Sequence, residues 1–179
     1  MDAAVYGARA AYIGGVAGTA TVLSGKMFGI PISGTMAHSW VMYHESEYES
    51  FAAYARIYPD DTVLLIDTYD VLKSGTPNAI RCAKEVLGPM GKRLKGVRLD
   101  SGDLAYLTKE VRKMLDAADM EDCRIIASNS LDEYSISSII DQGGCIDAFG
   151  VGERLITSKS DPVFGGVYKI SACLLYTSD

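Results

Sequence analysis

Short apolar runs rich in β-branched residues alternate with stretches of helical periodicity along most of the chain. The runs begin about 20 to 35 residues apart, which leaves room for a helix between each pair. They predict strands over residues 29–32, 63–66, 96–99, 124–127 and 146–149. The helical periodicity predicts helices over residues 38–58, 76–87, 103–118 and 131–142. This alternation indicates consecutive parallel βα units.

Two architectures fit this alternation: an open doubly wound sheet and a βα barrel. The strands are apolar throughout, as is typical of strands that are buried on both faces. No Gly-x-Gly-x-x-Gly string follows the first predicted strand, which weakens the case for a dinucleotide-binding sheet. The prediction is therefore an α/β fold, part of an irregular (β/α) barrel with about five parallel strands present. Five strands are too few to close such a barrel.

Composition and charge narrow the function classes. The chain has 179 residues, 48% of them hydrophobic, and a net charge of −6. This length is sufficient for one domain with a hydrophobic core. A negative overall charge does not favour binding to nucleic acid or to an anionic membrane. Glycines and Pro31 interrupt the longest uncharged stretch, so no membrane span is predicted.

The four cysteines and two histidines give no sign of a metal centre of the zinc type. None of the cysteines forms a Cys-x-x-Cys pair, and a Cys/His zinc site needs more histidine or cysteine ligands at close spacing. Scattered single cysteines are typical of buried thiols in a reducing compartment. No secretory signal pattern is seen at the start of the chain. The expected location is the cytoplasm.

A polar cluster follows each predicted strand. Because catalytic residues collect at the carboxyl ends of strands in parallel βα folds, we expect the clusters to share one rim around a ligand. Each cluster alone has a structural explanation as a turn or a helix cap. Together they predict an enzyme that handles a phosphorylated or polyhydroxylated ligand. The clusters are residues 33–39, 67–70, 100–103, 128–130 and 150–154.

Several strings within these clusters resemble those of the nicotinate phosphoribosyltransferase family, and they occur in family order. The most specific in combination are Gly34-Thr-Met-Ala-His-Ser39 and Val97-Arg-Leu-Asp-Ser-Gly-Asp103. The resemblance extends from Met1 to about Ile170. It implies an irregular α/β barrel, joined to a smaller domain built from both chain ends, in a protein that forms a homodimer.

The resemblance also implies a reaction. Family members join nicotinate to phosphoribosyl pyrophosphate and release nicotinate mononucleotide and pyrophosphate. They use Mg²⁺ and are stimulated by ATP, which is hydrolysed through a phosphohistidine. The expected partners are therefore small molecules, with neither nucleic acid nor membrane. Two alternatives stay open: a related enzyme acting on nicotinamide or quinolinate, and a non-catalytic module on the same scaffold.

Three residues carry the chemistry that the resemblance implies. The histidine of the first string is His38, and an imidazole can accept a phosphoryl group and lose it again. Asp100 is expected at the ribose hydroxyls or at Mg²⁺, since a carboxylate suits both a diol and a hard cation. Arg98 is expected near the base and the phosphates.

The remaining expected substrate contacts also follow predicted strands. Hydroxyl and amide side chains suit the ribose, and glycines let a backbone N–H approach the 5′-phosphate closely. The side chain of Glu153 is expected to point away from that phosphate, because like charges repel. These contacts are Thr35, Asp67, Ser101, Ser128, Asn129, Gly150, Gly152 and the N–H of Glu153.

The chain ends carry two further interpretations. Residues 1–172 are interpreted as a partial α/β-barrel domain of the family. Residues 173–179 resemble the translation of a sequencing adapter and are interpreted as a non-native tail. Family segments that complete the nicotinate pocket have no counterpart in this sequence. The 179-residue chain is therefore expected to be inactive by itself.

Overall fold

A computed structural model describes residues 2–157, which contain one four-stranded parallel sheet and eight α-helices. Residues 158–172 of the predicted barrel domain and the tail at 173–179 lie outside that range. The strands are β1 (Val63–Leu65), β2 (Gly96–Leu99), β3 (Arg124–Ser128) and β4 (Ala148–Gly150). The helices are α1 (Asp2–Ile13), α2 (Val22–Phe28), α3 (His38–Tyr43), α4 (Glu47–Ile57), α5 (Thr76–Cys82), α6 (Leu104–Asp116), α7 (Glu133–Asp141) and α8 (Glu153–Ile156).

The strands lie side by side in chain order, β1-β2-β3-β4, and every neighbouring pair is parallel. One row of the register runs from Leu65 through Arg98 and Ile126 to Ala148. A barrel wall adds strands in this sequential way, whereas a doubly wound sheet reverses direction at a switch point. The α/β fold with parallel strands is confirmed, and the strand order favours the barrel.

The first predicted strand is not part of this sheet. Residues 29–32 make a single parallel bridge, between Ile32 and Thr19. Gly29 is in the left-handed region, at φ 66°, where it ends α2. Pro31 has no N–H to donate to a neighbouring strand. Residues 2–157 therefore contribute four strands to the sheet, where about five were predicted.

Strands β1, β2 and β3 are largely buried, as their apolar sequences predict, whereas β4 is exposed at Ala148 and Gly150. Leu64, Val97 and Ile125 have no exposed surface, and neither do Phe51 of α4 and Leu115 of α6, which belong to the same hydrophobic core. Burying a side chain of this size contributes on the order of 1.5–3 kcal/mol. The core therefore packs the sheet against its helices and fixes the strand ends that carry the polar clusters.

Two of the predicted helices are interrupted. The predicted 38–58 helix is two helices, because His44 adopts an extended conformation and Ser46 caps α4 by accepting a hydrogen bond from the N–H of Glu49. The predicted 76–87 helix ends its α-helical part at Cys82 and continues as a π-helical segment, Ala83–Leu87. The helices predicted at 103–118 and 131–142 are confirmed as α6 and α7.

The cysteines in the described range are free thiols. Burial raises the pKa of Cys82 to about 11 and that of Cys123 to about 12. Both thiols therefore stay protonated at neutral pH and behave as small apolar side chains. None of the helices in residues 2–157 combines the length and the apolar character that a membrane span requires.

Glu47, in the first turn of α4, is a buried carboxyl group. Its side chain accepts a hydrogen bond from Asn78 at 2.8 Å through Oε2, while the buried Oε1 has no hydrogen-bond partner within the described residues. Burial raises the pKa of Glu47, and the hydrogen bonds from Asn78 and Ser74 offset this only in part. The folded protein therefore holds this proton to a higher pH than the unfolded chain does.

We expect Glu47→Gln to stabilise the protein at neutral and higher pH by about 1 kcal/mol, because an amide buries no charge. A raised folded-state pKa makes the free energy of unfolding fall as the pH rises from the unfolded pKa through the folded one. The Glu47→Gln variant should remove this pH dependence of the free energy of unfolding. Urea unfolding at about pH 5 and about pH 8 measures it. Glu49→Gln, on the exposed side of the same helix, is the control, and equal destabilisation by Glu47→Gln at both pH values would contradict the prediction.

Candidate functional site

Polar side chains from three neighbouring strand ends meet at one edge of the sheet. Asp67 lies two residues beyond β1, Asp100 directly follows β2, and Ser128 is the last residue of β3. His38, the first residue of α3, joins them from a segment that precedes the sheet. The parallel strand order explains the meeting, because parallel strands present their carboxyl ends at the same edge.

Asp67 connects the first two strand ends. Its Oδ2 accepts the backbone N–H of Asp100 at 2.8 Å and the hydroxyl of Ser101 at 2.6 Å. Its side chain is only 1% exposed, and within the described residues Oδ1 has no hydrogen-bond partner. One carboxylate oxygen therefore fixes the turn after β2, and the other is left facing the site.

The guanidinium group of Arg98 connects the end of β3, the segment before α3 and the residue after β2. Nε donates to the Ser128 hydroxyl at 2.8 Å, Nη1 to the Thr35 hydroxyl at 3.0 Å and Nη2 to Asp100 Oδ1 at 2.8 Å. The Ser128 hydroxyl also donates to Asp100 Oδ1. The planar guanidinium presents these donors in fixed directions, so one side chain sets the relative positions of three others.

The Asp100 carboxylate is held in its charged form. Its partial burial raises the pKa, but hydrogen bonds from Ser128 and Arg98 and the positive charge of Arg98 outweigh burial, so the pKa lies below its usual value. The stabilisation that this charge provides is present at neutral pH and is lost as the pH falls through the folded-state pKa. The site therefore presents a negative charge at physiological pH.

The His38 ring faces these two carboxylates. Its Nε2 lies 3.6 Å from Asp100 Oδ2 and 4.0 Å from Asp67 Oδ1. On the opposite side of the ring, Nδ1 is hydrogen-bonded to the Thr68 hydroxyl at 3.0 Å. The His38 side chain is 30% exposed, so it is open to a ligand while both nitrogens have defined surroundings.

Most of the predicted site residues lie in this one network: Thr35, His38, Asp67, Arg98, Asp100, Ser101 and Ser128. Gly150 is adjacent, because it pairs with Ser128 and a Cβ on it would lie 3.2 Å from Ser128 Cβ. Three other predicted residues are exposed and, within residues 2–157, make no hydrogen bond or ion pair with the network: Asn129, Gly152 and Glu153. Thr68 was not predicted as a site residue, although it directly follows Asp67 in the second polar cluster.

The arrangement also bears on the expected cation. No group of three or more His, Cys, Asp or Glu side chains that could hold a metal ion is found in the described range. Asp67 Oδ1 and Asp100 Oδ2 nevertheless lie 4.0 and 3.6 Å from His38 Nε2. Magnesium typically takes one or two carboxylates and completes its shell with water and substrate phosphates. The donor set therefore fits a magnesium ion that is held jointly with a substrate.

The family model and the curated relatives that match this chain name the same family. The model of the nicotinate phosphoribosyltransferase (NAPRTase) family matches residues 3–174. A nicotinate phosphoribosyltransferase from Bacillus subtilis is 53% identical over 174 residues, which are 96% of this chain and 34% of the relative. One from Mycobacterium tuberculosis is 44% identical over 173 residues, 96% of this chain and 36% of the relative. The chain thus spans about a third of the length of these curated relatives.

Solved structures agree with the sequence comparison. The chain is similar to human nicotinic acid phosphoribosyltransferase, with a TM-score of 0.74, 29% identity, and coverage of 83% of this chain and 39% of the human one. It is also similar to nicotinate-nucleotide pyrophosphorylase from Pyrococcus furiosus, with a TM-score of 0.72, 28% identity, and coverage of 87% and 39%. The family match covers nearly the whole chain. The chain belongs to the nicotinate phosphoribosyltransferase family.

Proposed function

We propose that this chain is the part of a nicotinate phosphoribosyltransferase that carries its phosphorylated histidine and its ribose-phosphate contacts. The observation that carries the proposal is the position of the His38 ring, 3.6 Å from Asp100 and 4.0 Å from Asp67, on a network tied together by Arg98. Family membership supports the substrates: nicotinate, phosphoribosyl pyrophosphate and ATP.

In the proposed ATP step, His38 is the nucleophile. A ring nitrogen forms a bond to the γ-phosphorus of ATP as the bond from that phosphorus to ADP breaks, and ADP leaves with the electron pair. Water later takes the phosphoryl group from the ring. The 30% exposure of the side chain supports this role, because the ring is accessible to a nucleotide.

In the proposed transfer step, the ring nitrogen of nicotinate bonds to the anomeric carbon as the bond to pyrophosphate breaks, and pyrophosphate leaves with the electron pair. The positive charge of Arg98 favours a phosphate or carboxylate nearby, and Asp100 accepts hydrogen bonds from ribose hydroxyls. Asp67 and Asp100 would hold a magnesium ion, which would supply charge neutralisation for the phosphates. Much of the chain's contribution is positioning, since nicotinate is already nucleophilic.

The remaining assignments concern the sugar and its phosphate. We place Ser101, Ser128 and Asn129 at the ribose, next to Asp100. Gly150, Gly152 and the N–H of Glu153 are placed at the 5′-phosphate; a Cβ on Gly152 would meet nothing within 4 Å, which supports an open approach to its backbone. Thr35, held by Arg98, lines the same space. The proposed location is the cytoplasm, and the proposed assembly is a homodimer.

A chimera tests the ATP step. The chain replaces the matching third of the Bacillus subtilis relative, and the purified protein is incubated with γ-labelled ATP. We expect an acid-labile, base-stable label on the chimera, its loss in His38→Ala, and its retention in His44→Ala, since these are the two histidines of the chain. Equal labelling of His38→Ala and the unmodified chimera would refute the role of His38, and so would an unlabelled chimera.

The transfer step is tested separately in the same chimera. Nicotinate, nicotinamide and quinolinate are each supplied with phosphoribosyl pyrophosphate, and formation of the mononucleotide is measured with and without ATP. We expect turnover with nicotinate and stimulation by ATP. Turnover with one of the other bases in preference to nicotinate would replace the proposed substrate. The unmodified Bacillus subtilis relative serves as the control for the assay.

A further inference from the structure

We infer that Thr68 is a positioning residue that holds the His38 ring with Nε2 towards Asp67 and Asp100. The Thr68 hydroxyl lies 3.0 Å from His38 Nδ1, and the two residues are 30 positions apart in the sequence. The contact is therefore made by the fold and not by local chain geometry. The inference rests on the proposed function of His38, for which ring orientation decides which nitrogen faces a ligand.

The helix that carries His38 does little to fix the ring. Helix α3 has only six residues, and its N-cap residue, Ala37, makes no side-chain capping hydrogen bond. The carboxylates are 3.6 and 4.0 Å from Nε2, beyond the length of a normal hydrogen bond. Within the described residues, the Thr68 contact is the hydrogen bond that restrains this imidazole.

The turn that carries Thr68 is, by contrast, firmly held on both sides. It follows β1, where the N–H of Ile66 donates to the carbonyl of Arg98 at 3.1 Å. It ends at Asp70, whose side chain accepts the N–H groups of Leu72 and Lys73. A hydroxyl on a rigid turn makes an effective anchor for a ring on a short helix.

The chemistry of a hydroxyl suits this role better than that of other small groups. Carboxylates only accept hydrogen bonds, so the charges of Asp67 and Asp100 attract a proton on Nε2. With the proton on Nε2, Thr68 donates to the Nδ1 lone pair; with the proton on Nδ1, the same oxygen accepts it. Thr68 therefore holds the ring in one orientation while the tautomer changes. Histidine ligands and nucleophiles depend on such partners for their orientation.

The experiment has two arms and three variants. Thr68→Val keeps the shape and removes the hydroxyl, Thr68→Ser restores the hydroxyl, and Tyr69→Phe is a control at the neighbouring, 61% exposed position. In the first arm, the 179-residue chain is labelled at histidine with ¹³C, and the order parameters of the two ring Cε1–H groups are measured. His44, whose Nδ1 is hydrogen-bonded to the Trp40 carbonyl at 2.8 Å, is the internal reference.

We expect the His38 order parameter to fall in Thr68→Val and to stay at the starting value in Thr68→Ser and Tyr69→Phe, with His44 unchanged throughout. In the second arm, the chimera is labelled with γ-labelled ATP. Thr68→Val is expected to lower the rate of label uptake about tenfold with little change in the KM for ATP, and Thr68→Ser to recover it.

An unchanged order parameter of the His38 ring in Thr68→Val would overturn the inference. A rate of label uptake by Thr68→Val within about twofold of the starting protein would also overturn it. A serine variant that behaves like the valine one would also overturn it. Failure of the proposed function has a different signature. In that case no variant takes up label, while the ring measurement in the first arm still decides the role of Thr68.

Discussion

Replacing Arg98 with lysine is expected to lower kcat/KM of the chimera about a hundredfold or more while leaving the protein folded. The guanidinium group of Arg98 donates to Ser128, Thr35 and Asp100 at 2.8 to 3.0 Å, in three directions at once. A lysine ammonium group keeps the charge but is a single point, so it cannot hold all three partners. Misplacing the groups that position a substrate by about 1 Å costs activity on this scale.

A second arginine in the chain provides a matched control. Arg93 also contacts a carboxylate, Asp122, through Nε and Nη2, but on the surface, and its side chain is 60% exposed. Arg93→Lys should leave kcat/KM unchanged and shift stability by less than about 1 kcal/mol. Steady-state kinetics and thermal unfolding of both variants make the comparison. If Arg98→Lys retained activity within about threefold, Arg98 would not be the organising residue of the site.

The strands and most of the site follow from local sequence signals. The apolar runs that became β1, β2 and β3 are buried on both faces, and this requirement is visible in each run by itself. The polar residues after them, such as Asp67 and Asp100, converge because parallel strands end at one edge, which is a rule of the fold class. The geometry of the network thus depends on local patterns combined with one general topological rule.

The features that sequence missed have local and tertiary causes. The break between α3 and α4 is local, because His44 is extended and Ser46 caps α4 through the N–H of Glu49, three residues further on. Thr68 looks like an ordinary turn residue until the fold brings His38 within 3.0 Å of it. Helix α2 was not predicted, since Ser24 and Gly25 are poor helix formers; both are buried there, and a Cβ on Gly25 would lie 2.4 Å from Ile32.

The turn after β1 depends on a glycine whose replacement should have a large effect on stability. Gly75 ends a π-helical segment, Val71–Gly75, and lies against Ile66, the residue that follows β1. A Cβ on Gly75 would lie 1.8 Å from the carbonyl oxygen of Ile66, so the backbone itself must move to accept alanine. The same segment is anchored by Asp70, whose carbonyl accepts the N–H of Gly75 at 2.8 Å. Asp67 and Thr68 lie between Ile66 and Asp70, so we expect a backbone shift there to move both of them.

We expect Gly75→Ala to lower the free energy of unfolding by about 3 kcal/mol, the upper part of the range for overpacked sites, and to reduce label uptake at His38 in the chimera.

Gly88→Ala is the matched control. The backbone angles are nearly the same, φ −57° and ψ −56° at Gly75 against φ −53° and ψ −52° at Gly88, while a Cβ on Gly88 would lie 3.4 Å from its nearest neighbour. Gly88→Ala should therefore change the free energy of unfolding by less than about 1 kcal/mol, because the restriction of the unfolded chain offsets the strain of a Cβ before Pro89. Urea unfolding of both variants separates the steric effect from the conformational one. Equal stability of the two alanine variants would mean that the packing of Gly75 against Ile66 does not hold the turn in place.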